Sequence, residues 1–190
     1  MDSYEVNENP LDSCTDLFKG LISYGLNVET LGFLTQINLR ADISAINNIR
    51  NSLDLEFALV PNQSRETKGH STLCLGPDEW LVVGPLDQRH NILSRFENDC
   101  GKNSISVVDV SFNRVVIEIG GRKSIDLLSA LTSLSEKSIG PGSCAQTLMA
   151  KAQVILHWIK SKDQFRVYVR SSFSRYLADV IIDQSRFMLD

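Results

Sequence analysis

The chain has 190 residues, of which 43% are hydrophobic and 22% charged, and its formal net charge is −4. This composition is typical of a globular protein with one domain or two small fused halves, and the acidic balance argues against nucleic-acid binding, which usually uses a basic patch. No apolar run approaches the roughly 20 residues that span a bilayer, and the acidic N-terminus does not resemble a signal peptide. We therefore expect a cytoplasmic protein that binds neither nucleic acid nor membrane.

The cysteines and histidines are dispersed along the sequence. The four cysteines have no C-x-x-C spacing, and the three histidines are not clustered near them. A zinc site needs ligands in closely spaced pairs, and a disulfide framework is typical of short secreted chains. The sequence therefore predicts reduced, mostly buried thiols and no metal site.

Residues 1–30 have no sustained hydrophobic period and are interrupted by Pro10, Gly20 and Gly25. We interpret them as an N-terminal arm that precedes a single domain over 31–190. The arm contains one apolar cluster, formed by Leu17, Phe18, Leu21 and Ile22. This cluster is predicted to dock on a partner chain and to become ordered on binding. The alternative is that it folds back over an open sheet face of the same protein.

The first half of the domain predicts the order β-α-β-β-α. A strand begins near Phe33, and Asp42 occupies the N-cap position of the helix that follows. A polar loop over 61–69, interpreted as mobile, precedes a hairpin that turns at 76–78. A helix then runs from about residue 87 to a stop at Gly101.

The second half predicts the same order. An apolar run ends at Asp109, a strand follows a short corner, and Gly120-Gly121 opens a helix. After a loop around Pro141 come two further strands and a terminal helix, capped by Ser171 or Ser172. That helix has an apolar stripe of Phe173, Tyr176, Leu177, Val180 and Ile181. The fold class is therefore α+β, with two ferredoxin-like β-α-β-β-α units at about 31–101 and 105–190, antiparallel sheets and helices on one face.

Four segments carry a resemblance to a known family. They are LGPDEWLVVGP (75–85), DVSFNRVVIEIGG (109–121), GSCAQTLMAKAQVIL (142–156) and VRSSFSRYL (169–177). In this order they resemble the gamma subunit of bacterial heterotetrameric sarcosine oxidase, over most of the chain from about residue 31. The second half is more distantly similar to the folate-binding domain of the glycine-cleavage T-protein.

The resemblance implies a noncatalytic gamma subunit with a structural or assembly role. The complex oxidatively demethylates sarcosine to glycine and passes the one-carbon unit to tetrahydrofolate. The partners it implies are the alpha, beta and delta subunits, with FAD, FMN, NAD and tetrahydrofolate on other subunits and no cofactor on this chain. The sequence itself has no G-x-G-x-x-G motif after a strand, which a dinucleotide site would need.

The strand after the Pro-Gly loop differs from that of catalytic T-protein relatives. In catalytic T-protein relatives the strand after the Pro-Gly loop carries acidic residues, whereas the corresponding stretch here, residues 152–160, has no Asp or Glu. His157 lies there between Ile155 and Ile159, so we interpret it as structural. Asp109 and Ser111 are interpreted as a turn cap, because Asp before a turn commonly binds the backbone beyond it. No catalytic residue is assigned.

Three arginines on predicted strands, Arg114, Arg166 and Arg170, are candidates for a partner interface, because a guanidinium can bind a carboxylate in bidentate fashion. The alternative is an ordinary charged strand face. Trp80 and Trp158 fit either a core or an interface hot spot.

Two other functions remain open from the sequence. One is a stand-alone folate-dependent enzyme of the aminomethyltransferase type, which would need an acidic pterin-binding residue. The other is a free-standing ferredoxin-like regulatory module that binds a small ligand. Flavin-bearing partner chains in the native protein would distinguish the gamma-subunit function from both.

Overall fold

A computed structural model describes residues 9–100, 105–134 and 139–188, without the side chains of 51–53 and 97–100. The strands are β1 Asn27–Gly32, β2 Thr35–Arg40, β3 Ser64–Thr67, β4 His70–Gly76, β5 Glu79–Gly84, β6 Ser106–Asp109, β7 Arg114–Gly120, β8 Cys144–Met149, β9 Ala152–Ile159 and β10 Gln164–Arg170. The α-helices are α1 Thr15–Gly20, α2 Ile43–Leu53, α3 Arg89–Cys100, α4 Ser124–Leu131 and α5 Ser171–Arg186.

The described strands form two antiparallel sheets that repeat one topology. The first sheet has the order β1-β7-β10-β9-β8 and the second has β3-β4-β5-β2-β6. Exchanging β1 to β5 for β6 to β10 converts one order into the other. Each half therefore gives its first strand to the edge of the other half's sheet, and the repeated unit is β-β-α-β-β-β-α, not the predicted β-α-β-β-α. The predicted α+β class with antiparallel sheets is confirmed.

The two sheets pack face to face, and helices cover their outer faces. One core cluster joins the first sheet to α4, α5 and the N-terminal segment, and a second joins the other sheet to α2 and α3. A third cluster lies between the sheets and includes Leu81, Val116, Ile155 and Tyr168. Because both faces of the central strands are buried, every residue of β9 except Gln153 is buried, and apolar residues lie on both of its faces.

The strands missing from the sequence-based prediction lie at sheet edges. The predicted mobile loop over 61–69 contains β3, which pairs with β4, and β8 follows the Pro141 loop and pairs with β9. Gln63 and Ser143 form a bridge that joins these two edges. Edge strands carry polar residues because one side of each faces solvent, so their sequences resemble loops.

The prediction that the N-terminal arm lies outside the core needs correction. Strand β1 pairs with β7, and Leu11, Phe18 and Leu21 are each at most 2% exposed within the first core cluster. Close backbone contact holds this segment in place: a Cβ on Gly121, whose φ is +97°, would lie 2.5 Å from the Gly25 carbonyl oxygen. The described part of the arm therefore folds back on this chain's own sheet, as the alternative interpretation expected.

Helix starts agree with the sequence in one case and differ in another. Asp42 caps α2, where its Oδ1 accepts a 2.7 Å hydrogen bond from the Ala45 amide. Helix α5 begins after Arg170 without a side-chain cap, so the predicted serine cap is wrong. The Ser171 hydroxyl donates to the carbonyl oxygens of Phe112 and Asn113 instead, and this ties the helix start to the corner before β7.

Candidate functional site

A row of charged and polar side chains crosses the inner face of the first sheet. The strand register places Glu29 opposite Glu118, Glu118 opposite Arg166, and Arg166 opposite His157. Glu118 is 2% exposed and accepts hydrogen bonds from Arg166 Nε at 2.8 Å and Lys162 Nζ at 3.3 Å. A buried carboxylate with two cationic donors forms an internal ion pair. Arg166, a predicted interface residue, therefore forms its salt bridge with Glu118 inside this chain.

His157 is fully buried at the centre of this row. Its Nε2 lies 3.1 Å from Ser64 Oγ, and its ring stacks on Tyr168 with centroids 6.5 Å apart. Burial, followed by the charge of Arg166, lowers the pKa of His157 to about 4, against the opposite effect of Glu66. The imidazole is therefore neutral near pH 7 and buried, as expected for a packed, hydrogen-bonded histidine.

Two further buried groups of the inner face keep their protons near neutral pH. Burial raises the pKa of both Tyr168 and Cys144 to about 12, so the phenol and the thiol keep their protons. A thiol is a poor nucleophile unless it is a thiolate.

Asp109 and Ser111 form the predicted turn cap. The Asp109 carboxylate accepts from the Ser111 amide at 3.0 Å and from the Ser111 hydroxyl at 2.6 Å, and it also pairs with Arg89. Burial favours the protonated acid, but hydrogen bonds from Arg89 and Ser111 outweigh it and hold the pKa of Asp109 below its ordinary value. This arrangement orders the corner before β7.

Two open pockets flank the inner face. One, of about 540 Å³, lies beside Glu118 between the N-terminal segment and β1, with Lys19, Glu29 and Gln164 on its wall. The other, of about 820 Å³, lies where β3 meets the Pro141 loop. Within the described ranges no group of three potential metal-ligand side chains occurs, and no helix is long and apolar enough to cross a membrane.

Both tryptophans belong to the core. Trp80 is fully buried and its Nε1 donates to the Ala58 carbonyl at 2.7 Å, and Trp158 is 7% exposed with its Nε1 2.9 Å from Asp163 Oδ1. The satisfied indole donors fix both rings inside the fold.

The predicted interface residues differ in their exposure to solvent. Phe18 and Leu21 are buried, whereas Leu17 and Ile22 are 45% and 64% exposed on the other side of the same segment. Arg114 and Arg170 lie opposite each other on neighbouring strands, away from the Glu118 pair. Sequence reasoning missed Glu118, although a single Glu within the apolar run of β7 indicates a buried partner.

Residues 40–186 match the family model described as "Sarcosine oxidase, gamma subunit family". The chain belongs to this family. The sarcosine oxidase gamma subunits of Corynebacterium sp. (strain P-1) and an Arthrobacter species are 23% and 24% identical to it over 190 residues. In both comparisons the match covers 96% of this chain and 92% of the relative, so this gamma-subunit homologue has nearly the full length of its relatives.

Solved structures show the same fold. A chain of the heterotetrameric sarcosine oxidase from Corynebacterium sp. U-96 matches with a TM-score of 0.83 at 18% identity, and 96% of each chain is covered. The glycine cleavage system aminomethyltransferase T from Bartonella henselae matches with a TM-score of 0.71 at 12% identity, over 90% of this chain and 49% of that protein. The predicted likeness of the gamma-subunit fold to the T-protein is therefore confirmed.

Proposed function

We propose that this chain is a noncatalytic subunit of a heterotetrameric sarcosine oxidase, in which it has a structural or assembly role. The family match over residues 40–186 carries the proposal. It is supported by relatives of nearly equal length and by the fold shared with a chain of the Corynebacterium complex.

In this proposal the partners are alpha, beta and delta subunits, and they hold the FAD, FMN, NAD and tetrahydrofolate of the complex. The complex oxidises sarcosine, releases glycine and passes the one-carbon unit to tetrahydrofolate. The chain described here contributes folded surface to that assembly.

The inner face of the first sheet supports a noncatalytic role. The Glu118 carboxylate is bound to Arg166 and Lys162, and His157 is neutral and buried against Ser64. A general acid or base must come within about 3 Å of a substrate proton, directly or through one water. The stand-alone aminomethyltransferase alternative would also need a carboxylate on β9, whose sequence contains none.

Purification through an affinity tag on this chain tests the proposal. From cells that express all four subunits, we expect the tagged chain to bring down three other proteins, together with flavin absorbance and sarcosine oxidation. Expressed alone, the chain should be colourless and should show no folate binding by calorimetry. An isolated chain that binds flavin or oxidises sarcosine without partners would contradict the proposal.

A further inference from the structure

Two arginines form a directly opposed pair at one end of the first sheet. Arg114 begins β7 and Arg170 ends β10, and the antiparallel register places them opposite each other. Directly opposite residues on neighbouring strands have Cβ atoms about 4.5 to 5.5 Å apart, and like charges at such positions are destabilising. Burial, followed by the charge of Arg170, holds the pKa of Arg114 below its ordinary value, against the opposite effect of Glu79.

Within the described residues, neither guanidinium has a carboxylate oxygen within 4 Å. The nearby salt bridges are formed by other cations, namely Arg40, Arg166 and Arg175. The nearby Glu79 already accepts from Asn38 at 2.7 Å and Arg40 at 3.0 Å. Arg170 Nη1 donates a hydrogen bond of 3.4 Å to Asn113 Oδ1. The pair therefore retains donors for a carboxylate outside these residues.

Two partly exposed phenylalanines are close to the two arginines in sequence. Phe112, two residues before Arg114, is 40% exposed and its ring also contacts Phe33 and Arg89, and Phe173, three residues after Arg170, is 46% exposed. The Ser171 hydrogen bonds to the carbonyls of Phe112 and Asn113 hold these two segments together. Partly exposed phenylalanine together with arginine is typical of subunit interfaces, whose centres are enriched in aromatic residues and arginine.

We propose that Phe112, Arg114, Arg170 and Phe173, together called the arginine–aromatic surface, bind an acidic segment of a neighbouring subunit. This inference rests on the proposed function, since it requires that such a subunit exists. Although the net charge of the chain is −4, two adjacent arginines here have no salt-bridge partner among the described residues, and this favours an acidic occupant. Carboxylates of the partner would accept bidentate hydrogen bonds from the guanidinium groups and remove their mutual repulsion.

A second copy of this chain fits the surface less well. A symmetric dimer places the same patch of both copies against itself, so four guanidinium groups would face one another. Like charges brought together across an interface cost several kcal/mol and suppress such pairing. The occupant is therefore assigned to a different, acidic chain.

The test compares charge reversals in the full complex. Tagged wild-type chain, the double variant Arg114→Glu/Arg170→Glu and the control Arg122→Glu are each expressed with the other subunits, and the recovered partner proteins are quantified. Arg122 is exposed beyond the other end of β7, so the control repeats the charge change away from the surface. We expect at least a tenfold loss of partner recovery for the double variant, and recovery close to wild type for the control.

Two further measurements separate loss of binding from misfolding. The exposed ring of Phe173 can be removed in Phe173→Ala with the thermal midpoint close to wild type, while partner affinity falls. Partner affinity of the wild type should also fall as NaCl rises from 50 to 500 mM, more steeply than that of an Arg114→Gln/Arg170→Gln variant, because salt screens charge pairs at an interface.

The outcomes distinguish this inference from the proposed function. If wild-type chain recovers its partners and the double Glu variant does so equally well, the arginine–aromatic surface is not the interface, and the proposed function stands. If wild-type chain recovers no partner, the proposed function fails. A wild-type homodimer that the charge reversal dissociates would overturn the inference, because the occupant would then be a second copy.

Discussion

Replacing Phe18 by Ala tests whether the N-terminal segment belongs to the core. Phe18 is 1% exposed and packs in the cluster that joins the first sheet to its helices. Truncation of a buried Phe removes its transfer free energy and leaves a cavity, at a cost of about 3 to 5 kcal/mol. For a chain of this size each kcal/mol corresponds to roughly 2 to 4 °C, so we expect the thermal midpoint to fall by about 6 to 20 °C.

The neighbouring Ile22 provides a matched control on the same segment. Its side chain is 64% exposed, so Ile22→Ala should change the free energy of unfolding by less than about 0.5 kcal/mol. Urea unfolding followed by tryptophan fluorescence is the assay, because Trp80 and Trp158 belong to the helix-facing clusters of different sheets and report on both halves. If Phe18→Ala unfolds at the wild-type urea concentration and only partner affinity falls, the segment is an interface and its assignment to the core is wrong.

Three further predictions concern the interior. Leu177→Ala on α5 should lower the free energy of unfolding by about 2 to 5 kcal/mol because Leu177 is fully buried. Phe173→Ala should lower it by under about 1 kcal/mol because about half of Phe173 is exposed, and calorimetry of both variants would measure the difference. Glu118→Gln should destabilise the fold by about 3 to 5 kcal/mol in urea, because Arg166 then lacks its buried counter-ion, and adding Arg166→Met should restore part of this loss. The pKa of His157 in the folded chain is about 4, below its ordinary value of 6.5, so protonation of the unfolded chain should lower the free energy of unfolding by up to about 3 kcal/mol as pH falls from 6.5 to 4. Urea unfolding of His157→Gln at pH 7 and pH 4.5 should lack this contribution. An equal pH dependence in wild type and variant would contradict the assignment.

Local signals in the sequence were sufficient for the elements with strong periodicity. The Asp42 cap and the hairpin between β4 and β5 each depend on residues that are close in sequence. The predicted stripe of α5 is only partly correct, because Leu177 and Ile181 are buried whereas Phe173 and Tyr176 are exposed. Long-range pairing was not predictable in this way. Strand β1 contains Gly32, is short, and pairs with β7 almost ninety positions away, so nothing in its own sequence indicates that partner.

In the candidate site, too, local features could be predicted from the sequence and long-range pairing could not. Alternation on β9 placed His157 among apolar residues, and this was enough to predict a structural histidine. The distinction between Arg166 and the other two arginines required the cross-strand register, because Glu118 lies on a strand 44 residues before Lys162 and 48 before Arg166. The apolar cluster of the N-terminal segment was recognised correctly, but its alternation between buried Phe18 and exposed Leu17 depends on the sheet that it covers.

Native mass spectrometry of the complex purified through this chain tests whether it is a cofactor-free subunit of a heterotetramer. We expect one assembly that contains this chain with three different subunits, and on dissociation this chain should leave without flavin or folate while those ligands stay with the others. The assembly should also oxidise sarcosine. A lone chain, or a homo-oligomer of it, that carries flavin and oxidises sarcosine by itself would show that the chain is not a noncatalytic subunit.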